Sequence, residues 1–402
     1  MKKWQTYRIK DATKFISEKA NDCSLPYIAL DNIVSWDGVY IPSDSTSDGN
    51  SNACKKGDVL FGKLRPYLAK GFIPTQDSIC SPEFIVLRPN YLINNKFLLY
   101  FLLSYSFINY IKNQVAGVKM PRTNALQIGR ASLSLPPIVE QEAIVAYLDM
   151  ECEKIGKGIS LLERKADCYR RLKRSLINQA VIRGINPDVT MKPSGIPWIE
   201  SIPEHWDIKR GKSILQEINR DVRSEDGIVT CFRDGEVTLR TNRRITGFTE
   251  SEKEIGYHGV RVGDLVIHQM DAFAGAIGIS DSDGKCSPIC IVCRPLNEGK
   301  INLKYYCLLF RVMAHSGFIQ SLAKGIRERT TDFRYKTLVM LHFPVPPYTE
   351  QQKIVAYLDD KCSKIDTIIK KIESKIEHQK ELKRSLINEV VTGQRAINIS
   401  KS

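Results

Sequence analysis

The chain carries one long segment twice. Residues 136–149, PPIVEQEAIVAYLD, return as residues 346–359, PPYTEQQKIVAYLD, with ten of fourteen positions identical. Residues 172–178, LKRSLIN, return unchanged as residues 382–388. Both pairs lie 210 residues apart, so the stretches 136–178 and 346–388 align without a gap. A repeat of this period is too long for a solenoid unit. It implies a duplicated pair of domains related by an approximate two-fold.

The sequences between the copies follow a looser version of the same plan. Gly57-Asp58-Val59 matches Gly263-Asp264-Leu265, Ser81-Pro82 matches Ser287-Pro288, and Arg88-Pro89 matches Arg294-Pro295, all at an offset of 206. Tyr110-Ile111 and Gly117 correspond to Phe318-Ile319 and Gly325. A framework that persists while the residues between it diverge suits one scaffold carrying two recognition surfaces. Short β-rich stretches such as 27–30, 58–61 and 84–87, separated by Gly, Pro, Asp and Asn, predict mixed α and β structure. Residues 97–115 read as one or two helices, with Gly117 as a stop.

These boundaries divide the chain into a first globular unit (1–135), a first repeat helix (136–184) and a Pro/Trp linker (185–206). A second unit (207–345), a second repeat helix (346–393) and a tail (394–402) follow. Composition marks the linker as extended. Its aromatics suggest that it is pinned to the surface. In the second helix Leu358, Ile365, Ile372, Gln379 and Leu386 recur every seven residues. Ile368 and Leu382 fill d-type positions, and Ile369 and Ile376 widen the stripe, so the spacing predicts a coiled-coil seam. Thr349 and Gln352 have capping-box spacing. Gly393 and Gly184 sit where C′ glycines end helices. In the first copy Val139 stands in place of Thr349, and Gly156 and Gly158 predict a kinked or frayed stretch. Each helix, about 40 residues or about 60 Å long, finds its obvious partner in the other. A two-fold makes the pair antiparallel, with the globular units at opposite ends of a spacer.

With 59 Lys and Arg against 45 Asp and Glu the net charge is +14, which favours a polyanion partner, either nucleic acid or an anionic membrane surface. The N-terminus has no apolar signal segment. The longest apolar run, 97–103, is far short of the roughly 20 residues of a spanning helix. The chain therefore reads as cytoplasmic, with no membrane partner. Eleven irregularly spaced cysteines fit free thiols in a reducing compartment.

Three motifs carry a resemblance to the specificity subunits of type I restriction–modification systems. They are the two Pro-Pro-x-x-Glu-Gln-x-x-Ile helix starts, the two LKRSLIN segments, and SGIPWI (194–199) with IPEHW (202–206). In that family the last element opens a target-recognition domain. Trp4 then reads as what remains of the same opening at the N-terminus, without the segment that usually precedes it. The resemblance covers nearly the whole chain and implies an α+β fold: two mixed α/β target-recognition domains separated by two long antiparallel helices. It implies double-stranded DNA as partner, each domain reading one half of a split, asymmetric site. It further implies that the helix pair docks two methyltransferase subunits, with restriction/motor subunits completing the complex. The chain itself is then not a catalyst and holds no cofactor. S-adenosylmethionine, ATP and Mg belong to the partner subunits.

Two readers on one face of B-DNA sit about one turn, roughly 34–36 Å, apart, a distance such a spacer can set. Base reading in the major groove needs Arg, Lys, Asn or Gln on loops. In the first unit such residues crowd Lys63, Arg65 and Tyr67, and then Lys119, Arg122 and Asn124. In the second they are Arg233, Arg240, Arg243 and Arg244, and then Arg327, Arg329 and Arg334. For helix pairing and subunit docking the candidates in the first copy are Glu140, Gln141, Leu148, Leu172 and Leu176. In the second copy they are Glu350, Gln351, Leu358, Ile365, Ile372, Leu382 and Leu386.

Three other motifs have a competing reading. Cys286, Cys290 and Cys293 have the spacing of a radical S-adenosylmethionine iron–sulfur site, and the alternative they raise is an iron–sulfur or methyl-transfer enzyme. Their counterparts Cys80, Phe84 and Leu87 replace two ligands with apolar groups, so the positions want volume and no metal is expected. Val345-Pro-Pro-Tyr348 lacks the polar first residue that an amino-methyltransferase motif needs. Glu163-Arg-Lys165 and Glu373-Ser-Lys375 have nuclease-like spacing but lie on the long helices without a Pro-Asp partner. There is no phosphate-binding loop for ATP, and the six histidines lack zinc-ligand spacing.

Overall fold

The computed structural model describes residues 4–20, 24–43, 50–115, 120–243, 255–322 and 333–397. The chain forms two compact units, Met1–Lys165 with Lys371–Ser402, and Ala166–Lys370. The class is α+β: both units are β-rich, and two long helices, Ile138–Arg183 and Tyr348–Val391, each supply a segment to both. Among the described residues no helix is long and apolar enough to cross a membrane.

In the first unit a four-stranded antiparallel sheet runs in the order Thr13–Ile16, Phe84–Pro89, Val59–Gly62, Gly71–Phe72. The two central strands are continuous apolar runs because both of their faces are covered. Side chains alternate across a strand. Val59, Phe61, Ile85 and Leu87 enter one core, and Leu60, Phe84 and Val86 enter another. Helices Asn95–Leu102 and Tyr105–Gln114 close over the first core, capped by the side chains of Asn94 and Ser104. Gly117, read as the stop, lies outside the described residues.

The second unit repeats the design in a sheet ordered Leu215–Glu217, Cys290–Pro295, Leu265–His268, Ile277–Ile279. The framework residues shared by the two units have one physical purpose. Gly57 and Gly263 take φ of +88° and +87°, a turn that L side chains rarely adopt. The next residue is a buried Asp. Asp58 accepts from Arg88 Nε and Nη2 at 2.7 and 2.8 Å and from Lys55 N at 2.8 Å. Asp264 accepts from Arg294 Nε at 2.7 Å, from Arg261 N at 2.8 Å and from Arg220. A buried carboxylate is tolerable only when it is paired in this way. The Gly-Asp and Arg-Pro motifs therefore survive together.

The segment 185–206, read from composition as an extended linker, folds as part of the second unit. Met191–Ile196 and Ile199–Pro203 form an antiparallel hairpin. Ile196, Ile199, Ile202 and Trp206 are buried in the core, and the rings of Trp198 and Phe318 lie 6.2 Å apart. The prolines sit in or beside short edge strands, where a missing N–H is harmless.

In the first unit the start of the first long helix shares a core with the end of the second: Ile144, Val145, Leu148 and Cys152 lie with Leu386, Ile387, Val390 and Val391. In the second unit the end of the first helix, Ala180 and Val181, shares a core with Ile354, Val355 and Leu358. Midway along the second helix the buried positions are Ile365, Ile369, Ile372 and Ile376. All four belong to the stripe read from the sequence; their i, i+4, i+7, i+11 spacing has a period near 3.67, and it is the d-type positions that depart from the heptad. Ile368 is half-buried and Leu382 is exposed. The predicted Thr349–Gln352 box is not used, because the helix starts at Tyr348 and leaves Thr349 inside its first turn. Pro347 O accepts instead from Glu350 N and Gln351 N at 2.9 and 3.0 Å. The first helix runs unbroken through Gly156 and Gly158, so the expected fraying there does not occur. Gly184 and Gly393 take φ of +76° and +74° at the helix ends.

Candidate nucleic-acid interface

At the ends of the two central strands of each sheet three chain segments meet in an edge, and their backbones bond in the same pattern. In the first unit Lys63 N donates to Glu83 O at 2.7 Å and Thr123 N to Lys63 O at 3.0 Å. Arg65 N donates to Pro121 O at 2.8 Å, and Leu64 bridges Arg122. Thus the two basic clusters singled out from the sequence, around Lys63 and around Arg122, form one surface. In the second unit Gln269 N donates to Ile289 O at 3.1 Å and Phe333 N to Gln269 O at 3.2 Å. Even the side chains correspond: Lys63 Nζ lies 2.6 Å from Pro82 O and Gln269 Nε2 lies 3.5 Å from Pro288 O.

The candidates occupy varied settings. Arg65 is exposed and left-handed (φ +48°), opening the short turn Pro66–Leu68, and Tyr67 is exposed beside it. Arg122 pairs with Glu83 at 3.0 Å; Glu83 Oε2 is buried with no hydrogen-bond partner among the described residues. Asn124 caps helix Ala125–Arg130, its side chain accepting from Gln127 N at 2.9 Å. Arg233 pairs with Asp271 at 2.7 Å and faces the Phe273 ring. Arg243 is held by Asp234 and Glu236 with its guanidinium over Phe232, and so is spent within its own loop. Arg240 is half-buried, and Arg334 is exposed just before helix Tyr335–Leu338. Lys119, Arg244, Arg327 and Arg329 lie outside the described residues.

Sequence reasoning missed the centre of the second edge, Gln269 with Met270 and Ile289. The signal was present, since Gln269 and Ile289 stand 206 residues after Lys63 and Glu83, but neither is basic. Next to them His268 Nδ1 accepts from Asp271 N at 3.1 Å. Burial, with the nearby Arg233 charge, pushes its pKa below the ordinary histidine value.

The helix-start candidates divide. Gln141 and Gln351 are fully buried. Gln141 accepts from Asn94 N at 2.8 Å and donates to Leu92 O and Pro136 O at 2.9 Å. Gln351 makes the same three bonds with Asn302, Lys300 and Pro346. Glu350 binds His205 Nε2 at 2.8 Å and Trp206 Nε1 at 3.1 Å, and Glu140 is half-buried. Gln141, Gln351 and Glu350 lock helix starts to their units, and the buried glutamines offer nothing to another subunit. Leu148, Leu358, Ile365, Ile372 and Leu386 are buried and Leu176 half-buried, whereas Leu172 and Leu382 are each 46% exposed.

The cysteine alternative fails on geometry. Cys290 and Cys293 project from opposite faces of strand Cys290–Pro295, into different cores. They cannot ligate one cluster with Cys286. Burial pushes the Cys293 thiol well above its usual range, which disfavours the thiolate a metal needs. Among the described residues no three His, Cys, Asp or Glu side chains converge on a metal position.

Comparison with known proteins adds three findings. Residues 1–159 and 251–378 match the family model for the type I restriction modification DNA specificity domain. The chain is 24% identical over 333 residues to the type I restriction enzyme EcoKI specificity subunit of Escherichia coli K12, covering 77% of this chain and 67% of that protein. It is 23% identical over 310 residues to the EcoBI specificity subunit of Escherichia coli, covering 72% and 63%. A third relative, the EcoDI specificity subunit, matches over only 34% of its length at 25% identity, so the chain spans about a third to two thirds of these relatives. In fold it resembles a chain from a study of complex assembly and conformational transition in a type I R-M system, with a TM-score of 0.70, 19% identity, and 98% and 99% of the two chains covered. It also resembles the HsdS subunit of Thermoanaerobacter tengcongensis, with a TM-score of 0.52, 19% identity and 98% of each chain covered. With a family model matched over more than half its length, the chain belongs to the type I restriction modification DNA specificity family.

Proposed function

We propose that this chain is the sequence-reading subunit of a type I restriction–modification assembly, and that its two units each read one half of a bipartite, asymmetric site in double-stranded DNA. The observation that carries this reading is the edge built twice on one backbone pattern, Lys63–Glu83–Thr123 and Gln269–Ile289–Phe333, with different side chains displayed. Equal scaffolds with unequal surfaces suit a target whose halves differ. The net charge of +14 supplies the sequence-independent attraction to phosphate. On this reading the domain limits are 1–135 and 207–345 for the two readers. The long helices set the gap between half-sites.

The identical LKRSLIN segments leave Leu172 and Leu382 exposed to the same extent. The same surface offered twice fits two copies of one partner, here the methyltransferase subunit, with restriction/motor subunits joining the same complex. S-adenosylmethionine, ATP and Mg then reside on those partners, and this chain transfers no methyl group itself. Methylome sequencing of a host expressing the chain with its methyltransferase tests the reading. One motif with two defined halves and a fixed gap is expected; a single contiguous motif, or methyl transfer by the purified chain alone, overturns it.

A further inference from the structure

The two edges differ in chemistry. At the first, Lys63 and the Glu83 carboxylate are half-buried, and Arg65, Tyr67 and Arg122 are exposed. At the second, the equivalent positions carry an amide and hydrocarbon: Gln269 is half-buried, and beside it Met270 and Ile289 are 38% and 40% exposed. On a chain of net charge +14, apolar side chains placed at this edge suit a partner that offers apolar contact within a polyanion. Duplex DNA does so at one place in the major groove, the C5-methyl of thymine, and the adenine paired with it offers N6 and N7 to an amide.

Gln269 has the matching groups. Its backbone is fixed on both sides, to Ile289 O and Phe333 N. Its Nε2 lies at the outer limit of hydrogen bonding from Pro288 O, and its Oε1 takes no hydrogen bond among the described residues. An amide so placed can turn to accept from adenine N6 and donate to N7 while Ile289, across the backbone bond, meets a thymine methyl. The nearby cation Arg233 is held by Asp271.

Resting on the function proposed above, we infer that Gln269 and Ile289 are specificity-determining residues of the second unit, and that they read an A·T base pair in its half-site through the major groove. The first unit's edge, with Arg at the corresponding segments, lacks both groups.

The test uses the chain with its methyltransferase and duplexes of its own site. Each thymine is replaced in turn by uracil, which removes only the methyl, and each adenine by 7-deazaadenine, which removes only N7. At one position of a single half-site, uracil weakens binding by about three- to fivefold. That penalty disappears in Ile289→Ser. The 7-deazaadenine penalty disappears in Gln269→Ala, and the other half-site keeps its full preference in both variants. Circular dichroism of each variant checks that the fold is retained. If no thymine methyl matters, or if the penalties persist undiminished in the variants, the inference falls while the specificity-subunit reading stands. If the wild-type complex has no sequence preference, it is that reading that fails.

Discussion

Gln141 and Gln351 illustrate how much a single side chain can explain. Each ties a helix start to three backbone groups that burial would otherwise leave unsatisfied. Replacing Gln141 with Ala strands one N–H and two carbonyls, and a cost of about 2–4 kcal/mol is expected; urea denaturation of the purified chain reads it as a lower midpoint. Asp264 is more demanding, since it gathers Arg294, Arg220 and the Arg261 N–H. Asp264→Ala leaves two guanidinium groups without their carboxylate at a partly buried site, and a loss of about 3 kcal/mol is expected. A thermal melt showing no change would remove the ion pair from the account of why Gly-Asp and Arg-Pro recur. Both roles were half legible: the repeat marked these positions, but only their burial separates a fastening from a docking contact.

At the scale of elements the second long helix decides between two seams. Leu382, a d-type position of the predicted heptad, is exposed, while Ile372, on its every-seventh row, and the flanking Ile376 are buried. Ile372→Ala is expected to cost about 2–4 kcal/mol, and Leu382→Ala less than about 0.5 kcal/mol; equal effects would restore the a/d seam. Leu382→Asp, by contrast, is expected to leave the chain's own melting point in place and to weaken capture of the methyltransferase, measurable by co-purification. At the helix end Gly393 takes a left-handed turn, and a Cβ there would lie 3.1 Å from the Trp4 ring. Gly393→Ala is therefore expected to destabilise by about 1 kcal/mol or more. The hairpin at 191–203 was missed because its prolines and turn residues read as linker composition, whereas its isoleucines find a core only once the unit has folded.

For the whole molecule, duplication is the organising fact. The two units share a buried carboxylate, an Asn-capped helix (Asn94 and Asn302) and the backbone of the edge, and they differ in what the edge displays. Exchanging residues 207–345 for the corresponding region of a relative is expected to change one half-site and preserve the other half and the gap, as methylome sequencing would read. Binding should also weaken steeply with salt, as phosphate contacts release counterions. A target altered in both halves by that exchange would mean that the two units do not read independently.

From the order of residues alone came the duplication, the two long helices with their terminal glycines and the family to which the motifs point, because repeats and apolar periodicity are properties of the chain itself. Which member of each pattern is buried came only with the folded units. The period near 3.67, the locked glutamines, the opposed cysteines and the Gln269–Ile289 edge all depend on which face a residue turns to its neighbours. That is settled by packing between segments far apart in the chain, which local spacing does not encode.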